Sequence, residues 1–161
     1  MAAKSDNNVI GINDDIPWHL PGDYEFLLET IKDSYLLTGR KTYESKQGQE
    51  IYNGRNDVIV LTRNTNFKVA HGKVVHSLSE AFQYLNSLEV KQVFILGGEE
   101  IYRESMVLAD ELIITEVHTS CPGQAFFPVI EPEIWEETFR KAFHKDENNQ
   151  FHYSFVWYRR K

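Results

Sequence analysis

The chain has 161 residues, 42% of them hydrophobic, with a formal net charge of −7. That length suits one globular domain over 1–161 with a sizeable core, and the acidic balance excludes nucleic acid or an anionic membrane as the main partner. No run reaches the roughly 18 apolar residues of a membrane span, no basic flank introduces an apolar leader, and the single cysteine, Cys121, has no internal disulfide partner, so a cytoplasmic protein is expected.

Residues 1–5 read as a short extended start, followed by turn chemistry at Asp6-Asn7-Asn8. Val9-Ile10-Gly11-Ile12 is a brief apolar stretch before a second polar turn, Asn13-Asp14-Asp15. The segment Ile16-Pro17-Trp18-His19-Leu20-Pro21-Gly22-Asp23 carries two prolines, each of which fixes its own φ and restrains its predecessor. Residues 23–32 read as a helix, with Phe26, Leu27, Leu28 and Ile31 at helical spacing. Residues 35–38 form an apolar run closed by Gly39, and 40–45 a helical turn. Residues 58–62 are continuous and β-branched, the pattern of a strand covered on both faces. Residues 73–75 make a minor strand. Ser77 and Glu80 have the spacing of a capping box for a helix over 77–87. Residues 93–96 are a further buried strand ending in Gly97-Gly98, with helix over 99–106 and a strand over 111–117. Residues 135–144 and 150–159 alternate more strictly and predict an antiparallel hairpin. The expectation is an α/β fold: a mostly parallel, central, twisted sheet flanked by about four helices and closed by the C-terminal hairpin.

In such sheets ligands bind beyond the carboxyl ends of the strands. Three of those ends share a theme: Gly39-Arg40-Lys41-Thr42, Thr62-Arg63-Asn64, and Gly97-Gly98 running into a helix. Cations and helix starts favour phosphate, and glycine lets backbone approach a ligand. Each is weak alone, since Gly-Gly is more often a plain turn and Gly-Arg-Lys a solvated end. Together, on an acidic body, they point to a ligand with several phosphates.

Other chemistries find no support. Neither nucleotide fingerprint, Gly-x-Gly-x-x-Gly nor Gly-x-x-x-x-Gly-Lys-Ser/Thr, occurs. The six histidines lack metal-ligand spacing, so no metal is expected, and no Gly-x-Ser-x-Gly elbow exists. Asp23 remains as the candidate acid. Its bland reading is a helix N-cap. The alternative is a proton source, because Trp18, Leu20, Leu27 and Ile31 would desolvate the carboxyl and lift it above the ordinary value of about 3.9.

Val9-Ile10-Gly11, the 16–23 segment, Thr38-Gly39-Arg40-Lys41-Thr42-Tyr43-Glu44-Ser45, Gly54-Arg55, Val60-Leu61-Thr62-Arg63-Asn64, Ile95-Leu96-Gly97-Gly98-Glu99-Glu100-Ile101-Tyr102 and Phe126-Phe127-Pro128 resemble, in order and spacing, dihydrofolate reductase. The resemblance covers essentially the whole chain. It implies reduction of 7,8-dihydrofolate to tetrahydrofolate by hydride transfer to C6 and protonation at N5, with NADPH as cofactor and antifolates as inhibitors. It implies a monomer. Asp23 matches the active-site carboxylate, Thr115 the strand hydroxyl bonded to it, and Trp18 the residue holding a water beside it. Met1, Ala2, Ile16, Tyr24, Leu27 and Arg55 match substrate contacts, Arg55 gripping the α-carboxylate of the glutamate tail. Ala3, Ile10, Gly11, Ile16, Gly39, Arg40, Lys41, Thr42, Thr62, Arg63, Leu96, Gly97, Gly98, Glu99, Glu100, Ile101 and Tyr102 match cofactor contacts, Gly97-Gly98 being a pair the family joins by a cis peptide.

The sequence departs from the family in four places. Fewer residues precede Ala2-Ala3 than the family's first strand has. Leu27 stands where phenylalanine is common, and Tyr24 where leucine is. Residues 46–53 lack the usual proline-rich spacing. Gln124-Ala125 replaces an acidic–hydroxyl pair in the loop supporting the mobile one. Two alternatives stay open from sequence: a reductase of the same fold acting on a pyrimidine of riboflavin synthesis, and a non-catalytic module that keeps the fold.

Overall fold

The computed structural model describes residues 1–161. The strands are β1 (Ala2–Ser5), β2 (Val9–Gly11), β3 (Tyr35–Gly39), β4 (Val58–Leu61), β5 (Lys73–Val75), β6 (Val93–Ile95), β7 (Glu111–Val117), β8 (Ala125–Phe126), β9 (Trp135–Phe143) and β10 (Tyr153–Arg160). The helices are α1 (Pro21–Ile31), α2 (Arg40–Glu44), α3 (Lys46–Tyr52), α4 (Leu78–Ser87) and α5 (Glu99–Ser105).

Strand pairing follows the apolar runs. β3 and β4 lie parallel, with β5 beyond β4 and β6 beyond β3, in the order β5-β4-β3-β6. Their side chains alternate between two cores, which is why the runs are continuous rather than alternating. Leu37, Ile59 and Leu61 pack with Ala81 and Leu85 of α4 and Ile101 of α5. Leu36, Val58 and Val60 pack on the other face with Ile31 of α1 and Tyr52 of α3. Leu36, Leu37, Ile59 and Val60 have no exposed surface, and each such burial stabilises the fold by about 1.5–3 kcal/mol.

A second set has the order β1-β7-β10-β9, with β1 parallel to β7 and β10 antiparallel to both neighbours. The predicted hairpin is therefore β9–β10. The two sets meet at the Met1 amino group, which donates to Ile95 O at 2.9 Å. β1 pairs with β7 over four residues, Ala2↔Ile114 to Ser5↔Val117, and so places Ala3 opposite Thr115. The short apolar stretch at 9–12 is β2, paired with β8.

Five helices form rather than about four, and the addition is α3. Gly48 sits inside it, a residue that disfavours helix by roughly 1 kcal/mol and hid the element. Ser45 compensates as N-cap, its Oγ accepting Gly48 N–H at 3.0 Å. The Ser77 cap holds, Oγ accepting Glu80 N–H at 3.1 Å, but the Glu80 carboxylate returns to His76 N–H at 2.7 Å rather than to Ser77. Asp23 is not an N-cap. α1 begins two residues earlier because proline suits a first turn, and Leu20 occupies the cap position without a side-chain bond.

Candidate active site

A cavity of about 690 Å³ opens where the carboxyl ends of β3, β4 and β6 face β2 and the 12–16 turn. Its lining includes Ala2, Ala3, Ile10, Gly11 and Ile16, the run from Gly98 to Tyr102, and Arg40 to Thr42 with Thr62 and Arg63. Gly39 and Leu96 complete the expected cofactor set, with the exception of Gly97, which does not line the cavity. Gly97 lies behind the wall, joined to Gly98 by a cis peptide, and its carbonyl accepts from Gly39 N–H at 2.6 Å and Thr38 Oγ1 at 3.2 Å.

The sequence reading missed Asn13, Asp14, Asp15, Gln47, Gln124 and Ala125 among the lining groups. The signal for the turn was present in its Asn-Asp chemistry. Asn13 and Asp14 adopt left-handed φ values of 50° and 60°, which these residues tolerate. Ile12 and Asp15 bond reciprocally at 2.9 and 3.0 Å, and Gln124 Oε1 accepts Asn13 N–H at 3.0 Å. The pair that departs from the family thus still holds the turn, with a neutral acceptor.

The walls fit a dinucleotide with phosphates. α2 and α5 both start at the cavity, at Gly39 and Gly98, without side-chain caps, so their N–H groups offer partial positive charge to an anion. A Cβ on Gly98 would come within 3.1 Å of Thr42 Oγ1, and one on Gly39 within 3.2 Å of Ile101 Cγ1. The cations differ in their engagement. Arg40 bonds Glu44 at 2.7 Å and Arg63 lies 3.7 Å from Glu100, both pairs exposed, whereas Lys41 has no acidic partner. Exposed pairs of this kind hold weakly and exchange readily for a phosphate.

Asp23 does not line this cavity; it stands half-buried on α1, joined to Thr115 of β7, whose neighbouring strand β1 supplies Ala2 and Ala3 to the lining. Thr115 Oγ1 donates to Asp23 Oδ1 at 2.6 Å, and Thr115 is itself buried opposite Ala3. Apolar burial pushes the Asp23 carboxyl up to about 6, against the opposing pull of the Thr115 bond. Leu27 and Met1 both pack against the core that contains Tyr52 and Leu96. The Met1 carbonyl accepts from Tyr102 Oη at 2.7 Å. Trp18 packs against Leu20, Val117, Tyr153 and Phe155. Tyr24 is half-buried on α1, and burial with Glu50 of α3 raises its phenol above the ordinary range.

Arg55 has partners within the chain. Its Nε and Nη2 each bond Asp57 at 2.8 Å, and Nη2 also donates to the carbonyls of Ile31 at 3.1 Å and Ser34 at 3.0 Å. One edge of the fork therefore closes the end of α1, where a cation complements the helix dipole. Only Nη1 is left for a ligand. Asp57 was within sight two residues on, but nothing local required the pairing.

Comparison with known proteins gives one family. A family model for dihydrofolate reductase matches residues 1–160. A dihydrofolate reductase of Staphylococcus haemolyticus is 34% identical over 160 residues, covering 99% of this chain and 93% of the relative. That of Bacillus subtilis (strain 168) is 30% identical over 159 residues, with 99% and 92% covered. Among solved structures, dihydrofolate reductase from Enterococcus faecalis complexed with NADP(H) and RAB-propyl superposes with a TM-score of 0.86 at 29% identity, covering 99% of this chain and 94% of that one.

Proposed function

This chain belongs to the dihydrofolate reductase family, and from that premise we propose how its residues divide the NADPH-dependent reduction of 7,8-dihydrofolate to tetrahydrofolate. The chain is an oxidoreductase that takes a small-molecule substrate and its inhibitors, and NADPH is its cofactor. The observation that carries the residue assignment is a single desolvated acid, Asp23, bonded to Thr115, whose strand partner Ala3 lines a phosphate-suited cavity.

NADPH when bound supplies the hydride for C6. Arg40, Lys41, Thr42, Thr62 and Arg63 would hold its phosphates, and Gly98 with Ala3, Ile10, Gly11 and Ile101 would hold the rest of it in the cavity that they line. Asp23 grips the pterin by its amino group and ring nitrogen and favours protonation at N5. With its carboxyl at about 6, it is partly protonated near neutral pH, the condition for a useful acid. Thr115 holds one carboxyl oxygen still, and Trp18 keeps a water beside it. Ile16, on the 12–16 turn, covers the reacting rings and excludes bulk water, which strengthens the carboxyl's influence. Met1, Ala2, Tyr24 and Leu27 shape the substrate slot, and Arg55 offers Nη1 to the tail carboxylate. The reading extends to one domain over 1–161 acting as a monomer, and to the cytoplasm, where a lone cysteine such as Cys121 stays reduced.

The test follows the loss of NADPH absorbance with dihydrofolate, with and without a diaminopyrimidine inhibitor. Inhibitor-sensitive, dihydrofolate-dependent oxidation is expected. NADPH binding without turnover would mean a module that keeps the fold without the reaction.

A further inference from the structure

The loop between β9 and β10 reaches back to the start of α1, beside Asp23. The first turn of any helix leaves N–H groups without intrahelical partners. In α1, Pro21 has no N–H, Asp23 and Tyr24 donate to Leu20 O at 3.0 and 3.2 Å, and Gly22 donates to Asn149 Oδ1 at 3.1 Å. Leu20, at the cap position, contributes no side-chain acceptor. The cap is thus borrowed from a residue 127 positions away.

Asn149 is built for that bond. It is 9% exposed, and its Nδ2 donates to Asp146 Oδ1 at 3.0 Å and Oδ2 at 3.2 Å. A carboxylate only accepts, so the amide must turn its NH₂ toward Asp146 and its oxygen toward Gly22. Asp146 is fixed in turn by the N–H groups of Asn149 at 2.7 Å and Asn148 at 2.9 Å. Gln150 and His19 exchange two further bonds, each 3.1 Å, which tie the loop to the segment before α1. Gly22 permits the approach: a Cβ there would run into the Tyr153 hydroxyl and sit 3.2 Å from Asn149 Oδ1.

An acid in a first turn ordinarily turns its carboxylate toward unpaired N–H groups. In α1 the N–H groups of Gly22, Asp23 and Tyr24 are already bonded, and Asp23 bonds Thr115 instead. We propose that Asn149, aimed by Asp146, is a positioning residue for Asp23, capping α1 from the β9–β10 loop so that the carboxyl stays free to face the substrate. The proposal rests on Asp23 being the acid of the reaction. Asp23 helps to raise the phenols of Tyr102 on α5 and Tyr153 on β10, and Asp146 of the loop and Glu25 of α1 act on Tyr153. His19, on the segment before α1, meets the loop through its backbone N–H and C=O bonds to Gln150, and no basic side chain forms an ion pair with Asp23.

The experiment is an infrared titration of the Asp23 carboxyl in the whole ligand-free protein, assigned by its loss in Asp23→Asn, alongside the pH profile of turnover. Asn149→Ala exposes the Gly22 N–H to the carboxylate and should lower its midpoint by about one pH unit, as backbone donors do. Turnover should then begin to fall at correspondingly lower pH. Asn149→Asp keeps an acceptor on Gly22, so its midpoint should stay at or above that of the wild type, although it sets two carboxylates together and loses thermal stability. Equal midpoints in Asn149→Ala, Asn149→Asp and the wild type would overturn the proposal and leave Asn149 a structural residue only. If Asn149→Ala does not fold, Asp146→Asn decides in its place: it frees the amide to flip and should lower the midpoint, and no change would refute the aiming role. A wild type without dihydrofolate turnover defeats the functional reading, while the infrared midpoints still test the capping role.

Discussion

The two halves of the site are made in opposite ways. The phosphate side is a rim of strand ends and helix starts whose cations are exposed: Arg63 keeps 86% of its side-chain surface and Arg40 37%. Each of its groups sits within a few residues of another in sequence. The acid side is assembled from α1, β7 and, beneath them, the β9–β10 loop: Asp23 makes one side-chain bond, to the buried Thr115, and Asn149 is buried beneath the start of α1. The rim gains specificity from charge that is cheap to solvate. The acid gains its function from desolvation, which only packing supplies. Changes at the rim should therefore be graded and salt-sensitive, and changes at the acid abrupt.

The largest break expected is at the acid. Asp23→Asn should lower turnover at neutral pH by about 10²–10⁴, the usual scale for general acid–base groups, while NADPH affinity measured by fluorescence stays near that of the wild type. Turnover near the wild-type rate would remove Asp23 from the chemistry.

The same substitution should stabilise the protein, and the sign can be worked out. The folded carboxyl titrates at about 6, above its unfolded value, so between about pH 4 and 6 the native state holds more protons and stability falls as pH rises. Above pH 6 the full penalty is present, about 3 kcal/mol by the linkage scale. Denaturant melts of Asp23→Asn and wild type should accordingly diverge at pH 8, with the mutant the more stable, and converge near pH 4. A mutant less stable at pH 8 would show that the acid is not desolvated.

The rim should respond less. Lys41 has no acidic partner, so Lys41→Ala should narrow the preference for NADPH over NADH by about tenfold, an effect that added salt reduces in the wild type. Arg63 is shared with Glu100, and Glu100→Gln should release it and tighten NADPH binding by about twofold, the scale of an exposed pair. Cofactor titrations at low and high salt check both. A larger effect from Glu100 than from Lys41 would reverse the assignment of the free cation.

The parts legible in the sequence follow the same division. The runs at 35–38 and 58–62 announced parallel strands covered on both faces, whereas the run at 93–96 forms a strand whose residues 93–95 stay half-buried, and Ser77 announced α4 through its own cap. The cation-bearing strand ends were readable because their chemistry is local. α3 was hidden by Gly48, whose low propensity is outweighed by the Ser45 cap and by Tyr52 packing into the core. Asp23 could be read as a cap or as a desolvated proton source, and the cap falls away because Pro21 begins the helix sooner and Leu20 takes the cap position.

By itself, the sequence determined the periodicities, the turn chemistry, the family order of motifs and the side of the sheet on which charge collects, since all of these depend on neighbours along the chain. Tertiary structure alone decided the state of the acid. Thr115 lies 92 residues from Asp23, and Asn149 lies 127 from Gly22. Desolvation and long-range capping are properties of what surrounds a group in space. No local pattern encodes that the N–H groups of Gly22, Asp23 and Tyr24 are already bonded, and so the sequence left the cap and the proton source as rivals.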